Sequence, residues 1–306
     1  MGMAGGLARL TPLPVSIMAL ALHGPLMVSG FFGTVISLER AAALERRWAQ
    51  AAPLCAGLGG IALVAGFPRE GFAAMALAAL LLLAASVAML RKQPSLERAA
   101  LLAGAAAWLM GNLGLILGYP AVPWWIAFFA LTIGAERLAL ARHLELAPWV
   151  RNVFMALAAA LLFAPLEPPL LGVALILLAL WLFAFDRARV TFHQAKQPRY
   201  VALCLLAGYF WLGLGGALIA LESAYDAALH AIFVGFVISM VFGHAPVTYH
   251  PVLYLPLALL HASLAVRVAI SAPIGGWGNA LAIAVFIICA AFLVVQERFR
   301  RAHRRS

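Results

Sequence analysis

The sequence predicts an all-α integral membrane protein, a bundle of about eleven transmembrane helices. Three observations support this prediction. Of the 306 residues, 65% are hydrophobic and 10% are charged, a balance that the surface of a water-soluble globular protein does not have. Apolar runs of about 20 residues, long enough to cross a bilayer, recur along the chain. The positive charges also concentrate in alternate loops.

The apolar runs follow one another with short connections, so we expect a single transmembrane domain over residues 1–306 with a basic tail at 297–306. The first run continues past His23, which is too long for the core of a secretory signal, and we interpret it as a retained span. The sequence PLEPP at 165–169 predicts a tight turn between the sixth and seventh spans. The predicted spans are 13–38, 51–68, 71–90, 99–118, 121–141, 150–165, 168–185, 200–221, 226–245, 251–270 and 276–295.

The distribution of Lys and Arg predicts the orientation. Every Lys and Arg except Arg9, Arg69 and Arg267 follows an odd-numbered span. Because cytoplasmic loops hold the positive charges of membrane proteins, we place the N-terminus outside and the C-terminus in the cytoplasm, in a bacterial inner membrane. Membrane orientation and contact with anionic lipid headgroups then explain the net charge of +10. We therefore expect no nucleic-acid partner.

An internal similarity links the first and fifth spans. The segment FFGTVISLERAAALERR begins at Phe31, and FFALTIGAERLALARHL begins at Phe128. Both begin with two phenylalanines, and Glu39 with Arg40 aligns with Glu136 and the next arginine. This offset covers four predicted helices, so the sequence predicts four-helix repeat units.

The histidines provide the candidate binding residues, because a titratable ring is costly inside a bilayer. His230 and His244 are fourteen residues apart, which places them about 40° apart around one helix. His250 and His261 share one face of the next span in the same way. We expect His23, His230 and His261 to converge in the outer half of the bundle. His244 and His250 are expected near the cytoplasmic edge.

Two interpretations of these residues are open. Imidazole binds haem iron and copper, and the thioether of Met27, one turn beyond His23, suits haem iron or Cu(I). The outer cluster is therefore a candidate site for haem b, with copper as the second metal, and His244 and His250 are further metal-ligand candidates. A single buried histidine also commonly forms a hydrogen bond between helices, and His244 and His250 also fit a loop. We assign no catalytic residue.

Two short motifs resemble those of the NnrS family. The early motif is HGPLMVSGF, from His23 to Phe31, and the late motif is HAIFVG, from His230 to Gly235, with Met240 beyond it. NnrS proteins are polytopic, contain haem and copper, and are associated with bacterial responses to nitric oxide. Their bundle is compared with the core of haem-copper oxidases. The resemblance implies that His23 and His230 belong to a haem or copper site.

The leading hypothesis is a haem-binding, NnrS-like protein of the bacterial inner membrane that responds to nitric oxide or a related redox stress, with membrane redox proteins as partners. The residues leave open whether it is an enzyme. One alternative is a small-molecule or ion transporter whose histidines line a polar pathway. Another is an assembly or scaffold protein for a respiratory complex. We find no phosphate-binding glycine loop and no Ser-His-Asp arrangement in the sequence.

Overall fold

A computed structural model describes residues 1–10 and 21–303 of the chain, and all regular structure among them is helical. Residues 11–20, which include the first eight residues of the predicted first span, and residues 304–306, at the end of the basic tail, lie outside the described residues. The helices are α1 (Gly2–Ala8), α2 (His23–Leu44), α3 (Ala51–Val64), α4 (Pro68–Lys92), α5 (Leu96–Leu117), α6 (Val122–Leu140), α7 (Pro148–Leu166), α8 (Pro168–Phe185), α9 (Ala188–Thr191), α10 (Gln197–Ala220), α11 (Tyr225–His244), α12 (Pro251–Ala269) and α13 (Ala272–His303).

Nine helices of the described part of the chain are long and apolar enough to cross a membrane: α2, α4, α5, α7, α8, α10, α11, α12 and α13. The all-α membrane fold predicted from composition is therefore confirmed. The chain is an α-helical bundle protein of the lipid bilayer. The count of eleven spans stays a prediction, because α3 and α6 stand at the second and fifth predicted positions without meeting the same criteria.

The two remaining helices differ from the nine for different reasons. Helix α3 has 14 residues, about 21 Å at 1.5 Å per residue, whereas a bilayer core is about 30 Å thick. Helix α6 has 19 residues, which is long enough, but it is less apolar over its length than the nine. Every residue from Trp125 to Ala135 is buried. A helix that is buried all round lies inside a bundle. Helix α6 is therefore the central helix of the first half of the chain.

The chain divides into two compact units, Met1–Ala174 and Leu175–Ser306. In the first unit the aromatic side chains of α5 and α6 form the core: the rings of Trp108 and Phe128 stack with centroids 5.4 Å apart, and Phe129 lies beside Phe128. In the second unit α10 has the central place, since α11 packs along it and α12 also contacts it. The prediction of one domain over 1–306 and the four-helix repeat both stay predictions.

Ion pairs join helix ends within the first unit. Arg40 of α2 pairs with Glu136 of α6, so the arginine of one similar segment contacts the glutamate of the other. Arg142, which follows α6, donates two hydrogen bonds of 2.7 and 2.8 Å to the buried carboxylate of Glu97 in the first turn of α5. These bonds raise the pKa of the Arg142 guanidinium above its usual value. The ends of α2, α5 and α6 are fixed by these charges.

Two helices contain π-helical segments, Leu26–Phe32 within α2 and Ala231–Ile238 within α11. One segment lies in each unit, and each begins within three residues of a histidine of the two short motifs. A π-helical turn shifts backbone hydrogen bonds to i→i+5 and frequently marks a functional site. In α2 the hydroxyl of Thr34 donates to the carbonyl oxygen of Gly30 at 2.6 Å.

Candidate functional site

His23 begins helix α2 and lies against the short helix α1. Its Nδ1 is 2.6 Å from the carbonyl oxygen of Gly2. Because a carbonyl oxygen only accepts, Nδ1 of the neutral ring carries the proton and Nε2 carries the lone pair. Gly2 and Gly6 bring α1 this close: a Cβ atom at Gly6 would lie 2.7 Å from Cε1 of His23, and one at Gly2 would lie 2.9 Å from Sδ of Met27. Helix α1 therefore covers both candidate ligands of the early motif.

His230 has the same ring orientation in the second unit. It occupies the last position before the π-helical segment of α11, and its Nδ1 is 2.7 Å from the carbonyl oxygen of Asp226, one turn earlier. The carboxylate of Asp226 is also near, with Oδ1 3.4 Å from Nδ1. Nδ1 again carries the proton, which leaves the lone pair on Nε2. A histidine that binds a metal through one nitrogen commonly donates its other N–H to a carbonyl or carboxylate.

His261 is held differently. Nε1 of Trp211 on α10 donates to its Nδ1 at 2.9 Å. The proton of the neutral ring is then on Nε2, which is 3.3 Å from Oγ of Ser239. Ser239 in turn donates to the carbonyl oxygen of Cys204 at 2.7 Å. This chain of hydrogen bonds joins α10, α11 and α12, and a metal could reach Nδ1 of His261 only after the ring released Trp211.

The two histidines predicted near the cytoplasmic edge are both exposed. His244 ends α11, and its Nδ1 is 2.9 Å from the carbonyl oxygen of Met240. His250 precedes α12, and its Nδ1 accepts the backbone N–H of Val252 at 3.1 Å. His250 thus caps the first turn of α12, as the loop alternative expects, whereas His244 shares the ring orientation of His23 and His230.

Sequence reasoning missed a buried polar network in the first unit. Ser29 lies in the π-helical segment of α2, and its hydroxyl donates to Oδ1 of Asn112 at 2.5 Å. Nε1 of Trp108 donates to Ser29 at 3.1 Å, and Nε1 of Trp125 donates to the same Oδ1 of Asn112 at 3.3 Å. The amide nitrogen of Asn112 donates to the carbonyl oxygen of Met75 at 3.1 Å. The network joins four helices of the unit.

Each unit also packs a tryptophan against a glycine of the helix that contains the π-helical segment. The indole of Trp108 lies against Gly33, and that of Trp211 lies against Gly235, so close that a Cβ atom at either glycine would overlap the tryptophan side chain. The glycines of both motif helices are visible in the sequence and indicate that another element packs closely there. The sequence does not indicate which side chain packs against them.

The convergence of His23, His230 and His261 stays a prediction, since His23 belongs to the first unit and the other two to the second. Within the second unit, His230 and His261 have different hydrogen-bond partners. Across residues 1–10 and 21–303, no group of three His, Cys, Asp or Glu side chains is arranged to hold a metal ion. Haem iron needs only one or two axial side chains, and both the haem and the copper predictions stay predictions.

Comparison with known families covers nearly the whole chain. The family described as "Domain of unknown function (DUF8744)" matches residues 1–295. The chain belongs to the DUF8744 family. The match includes both motif histidines and both π-helical segments of this DUF8744 chain. No curated protein matches the chain, and no solved structure matches it.

Proposed function

We propose that this DUF8744 protein is a haem-binding protein of the bacterial inner membrane that handles nitric oxide or a related redox stress. The observation that carries the proposal is that the two motif histidines have the same ring orientation and the same kind of position in their helices. His23 and His230 each hold Nδ1 against a backbone carbonyl oxygen, and each precedes a π-helical segment, His23 by three residues and His230 by one. In both rings the proton on Nδ1 leaves the lone pair on Nε2, the atom that would ligate haem iron.

In this proposal two other ligand candidates, Met27 and His261, have different roles. Met27 lies one turn beyond His23, and its thioether offers either a second haem ligand or, with the imidazole, a pair suited to Cu(I). His261 serves mainly to join helices, since both of its nitrogens are engaged with Trp211 and Ser239. Redox proteins of the same membrane would supply and accept electrons. The N-terminus would lie outside and the C-terminus in the cytoplasm.

The reduced-minus-oxidised absorption spectrum of the purified protein tests the proposal. We expect a Soret band in the wild type and a large loss of its amplitude in His23→Ala and in His230→Ala. His250→Ala is the matched control, because that ring caps a helix turn and should leave the band unchanged. A wild-type protein that shows no Soret band after expression with added haem contradicts the proposal.

One observation favours a second candidate, a transporter. Each unit contains one helix interrupted by a π-helical segment, and secondary transporters commonly place substrate sites at irregular helices in corresponding positions of two halves. This candidate predicts uptake or efflux of a solute by proteoliposomes that contain colourless protein. Coloured protein without solute movement would exclude it.

A further inference from the structure

A pair of charged residues lies behind the ring of His230 in the second unit. Asp226 is one helical turn before His230 on α11, and its Oδ1 is 3.4 Å from Nδ1 of the ring. Its other carboxylate oxygen accepts a hydrogen bond of 2.9 Å from Nη2 of Arg267 on α12. The three side chains therefore form a series, from guanidinium to carboxylate to imidazole.

The burial of these groups differs sharply. The side chain of Arg267 is 6% exposed, whereas that of Asp226 is 61% exposed. Nε of Arg267 has no hydrogen-bond partner among the described residues. Gly275 of α13 packs directly against the backbone of Arg267, since a Cβ atom at that glycine would overlap it. A buried guanidinium is costly, and replacing a whole buried ion pair with well-packed apolar residues is often neutral or stabilising. Stability alone is thus a weak reason for this arrangement.

We propose that Asp226 and Arg267 are positioning residues that set the reduction potential of haem ligated by His230, an inference that rests on the proposed function. The N–H at Nδ1 donates to the backbone carbonyl oxygen of Asp226 at 2.7 Å, and the carboxylate lies 3.4 Å from the same nitrogen. The negative charge beside this N–H would make the imidazole a stronger donor to iron. Arg267 opposes this effect through its hydrogen bond to the same carboxylate. Partners of a haem ligand are among the groups through which a protein tunes haem potential.

This series predicts shifts of opposite sign. Removing the charge of Asp226 weakens the donor, which disfavours ferric iron and raises the potential. Removing the charge of Arg267 leaves the carboxylate unopposed, which favours ferric iron and lowers the potential. A purely structural role of the two residues would instead change haem content in one direction for both. The sign of the shift therefore distinguishes tuning from packing.

The experiment is a potentiometric titration of the full chain with haem bound, in lipid nanodiscs. We expect Asp226→Asn to change the reduction equilibrium about tenfold toward ferrous haem, which is about 59 mV for one electron. We expect Arg267→Gln to change it in the opposite direction. Asp226→Glu should restore the wild-type potential. Glu222→Gln is the matched control, because it removes an exposed carboxylate from the turn just before α11 and should leave the potential unchanged.

A double variant tests whether Arg267 affects the haem potential through Asp226 or directly through its own charge. If Arg267 acts through Asp226, Arg267→Gln should shift the potential much less when Asp226 is already Asn. Coloured variants that all keep the wild-type potential, or that shift in the same direction, overturn the inference while the proposed function stands. A colourless wild type overturns the proposed function and this inference with it. If Arg267→Gln does not fold, the contrast between Asp226→Asn and Asp226→Glu decides.

Discussion

The side-chain amide of Asn112 holds the first unit together through three buried hydrogen bonds, and Asn112→Leu removes all three while keeping a side chain branched at Cγ. Its Oδ1 accepts from Ser29 and Trp125, and its nitrogen donates to the carbonyl oxygen of Met75. An interhelical hydrogen bond inside a membrane bundle contributes about 0.6 kcal/mol on average and about 1.7 kcal/mol at most. We therefore expect Asn112→Leu to lower the free energy of unfolding by roughly 2 kcal/mol, with an upper limit of about 5 kcal/mol.

Reversible unfolding in mixed micelles with increasing SDS measures this difference. Tryptophan fluorescence is a suitable signal, because Trp125 donates directly to Asn112 and its environment changes when the network opens. The matched control is Met110→Leu on the same helix, a half-exposed side chain whose replacement should change stability by less than about 0.5 kcal/mol. If Asn112→Leu unfolds at the same SDS fraction as the control, the network does not stabilise the unit and the argument is wrong.

Two further predictions concern the surroundings of the histidines. Trp211→Phe removes the donor to Nδ1 of His261, and we expect a loss of about 1 kcal/mol in unfolding free energy together with a changed ¹⁵N chemical shift of that nitrogen. Gly6→Leu places a side chain where the ring of His23 lies, so helix α1 should be displaced. Labelling of His23 by diethyl pyrocarbonate should then become several-fold faster, as mass spectrometry of the labelled peptide would report.

Controls for these two variants are available on α12 and α1. Leu255→Ala changes an exposed side chain of α12, the helix of His261, and should leave the nitrogen signal of His261 unchanged. Ala4 lies about 200° around α1 from Gly6, so Ala4→Leu should not speed labelling of His23. Equal labelling rates in Gly6→Leu and wild type would show that α1 does not cover His23.

The fold class followed from the sequence because it depends on gross composition. A bilayer demands long apolar helices with internally satisfied backbones, and that demand is visible in 65% hydrophobic content and in the repeated run length. The central, buried position of α6 could not be predicted from composition. Its run from Trp125 to Ala135 is mostly apolar, as a lipid-facing run would also be, and only packing shows that the run is buried on every side.

The hydrogen-bond partners of the candidate histidines could not be predicted from residue spacing, because they depend on contacts between side chains and backbone atoms. Helix periodicity placed His230 and His261 on definite faces, but it assumed regular α-helix through Ala231–Ile238, where the backbone is π-helical. Whether a histidine offers a lone pair on Nε2 is decided by the atom that faces Nδ1. For His230 that atom is a carbonyl oxygen, and for His261 it is the indole N–H of Trp211. Asp226 could have been noticed from sequence, since it precedes His230 by one helical turn.

Elemental and haem analysis of the purified chain tests the central claim most directly, because the proposed roles of His23 and His230 depend on a bound cofactor. Protein expressed with haem supplementation should contain stoichiometric haem iron, and the double variant His23→Ala with His230→Ala should lose most of it. Wild-type protein that is folded yet contains no more iron or copper than the double variant would contradict the claim.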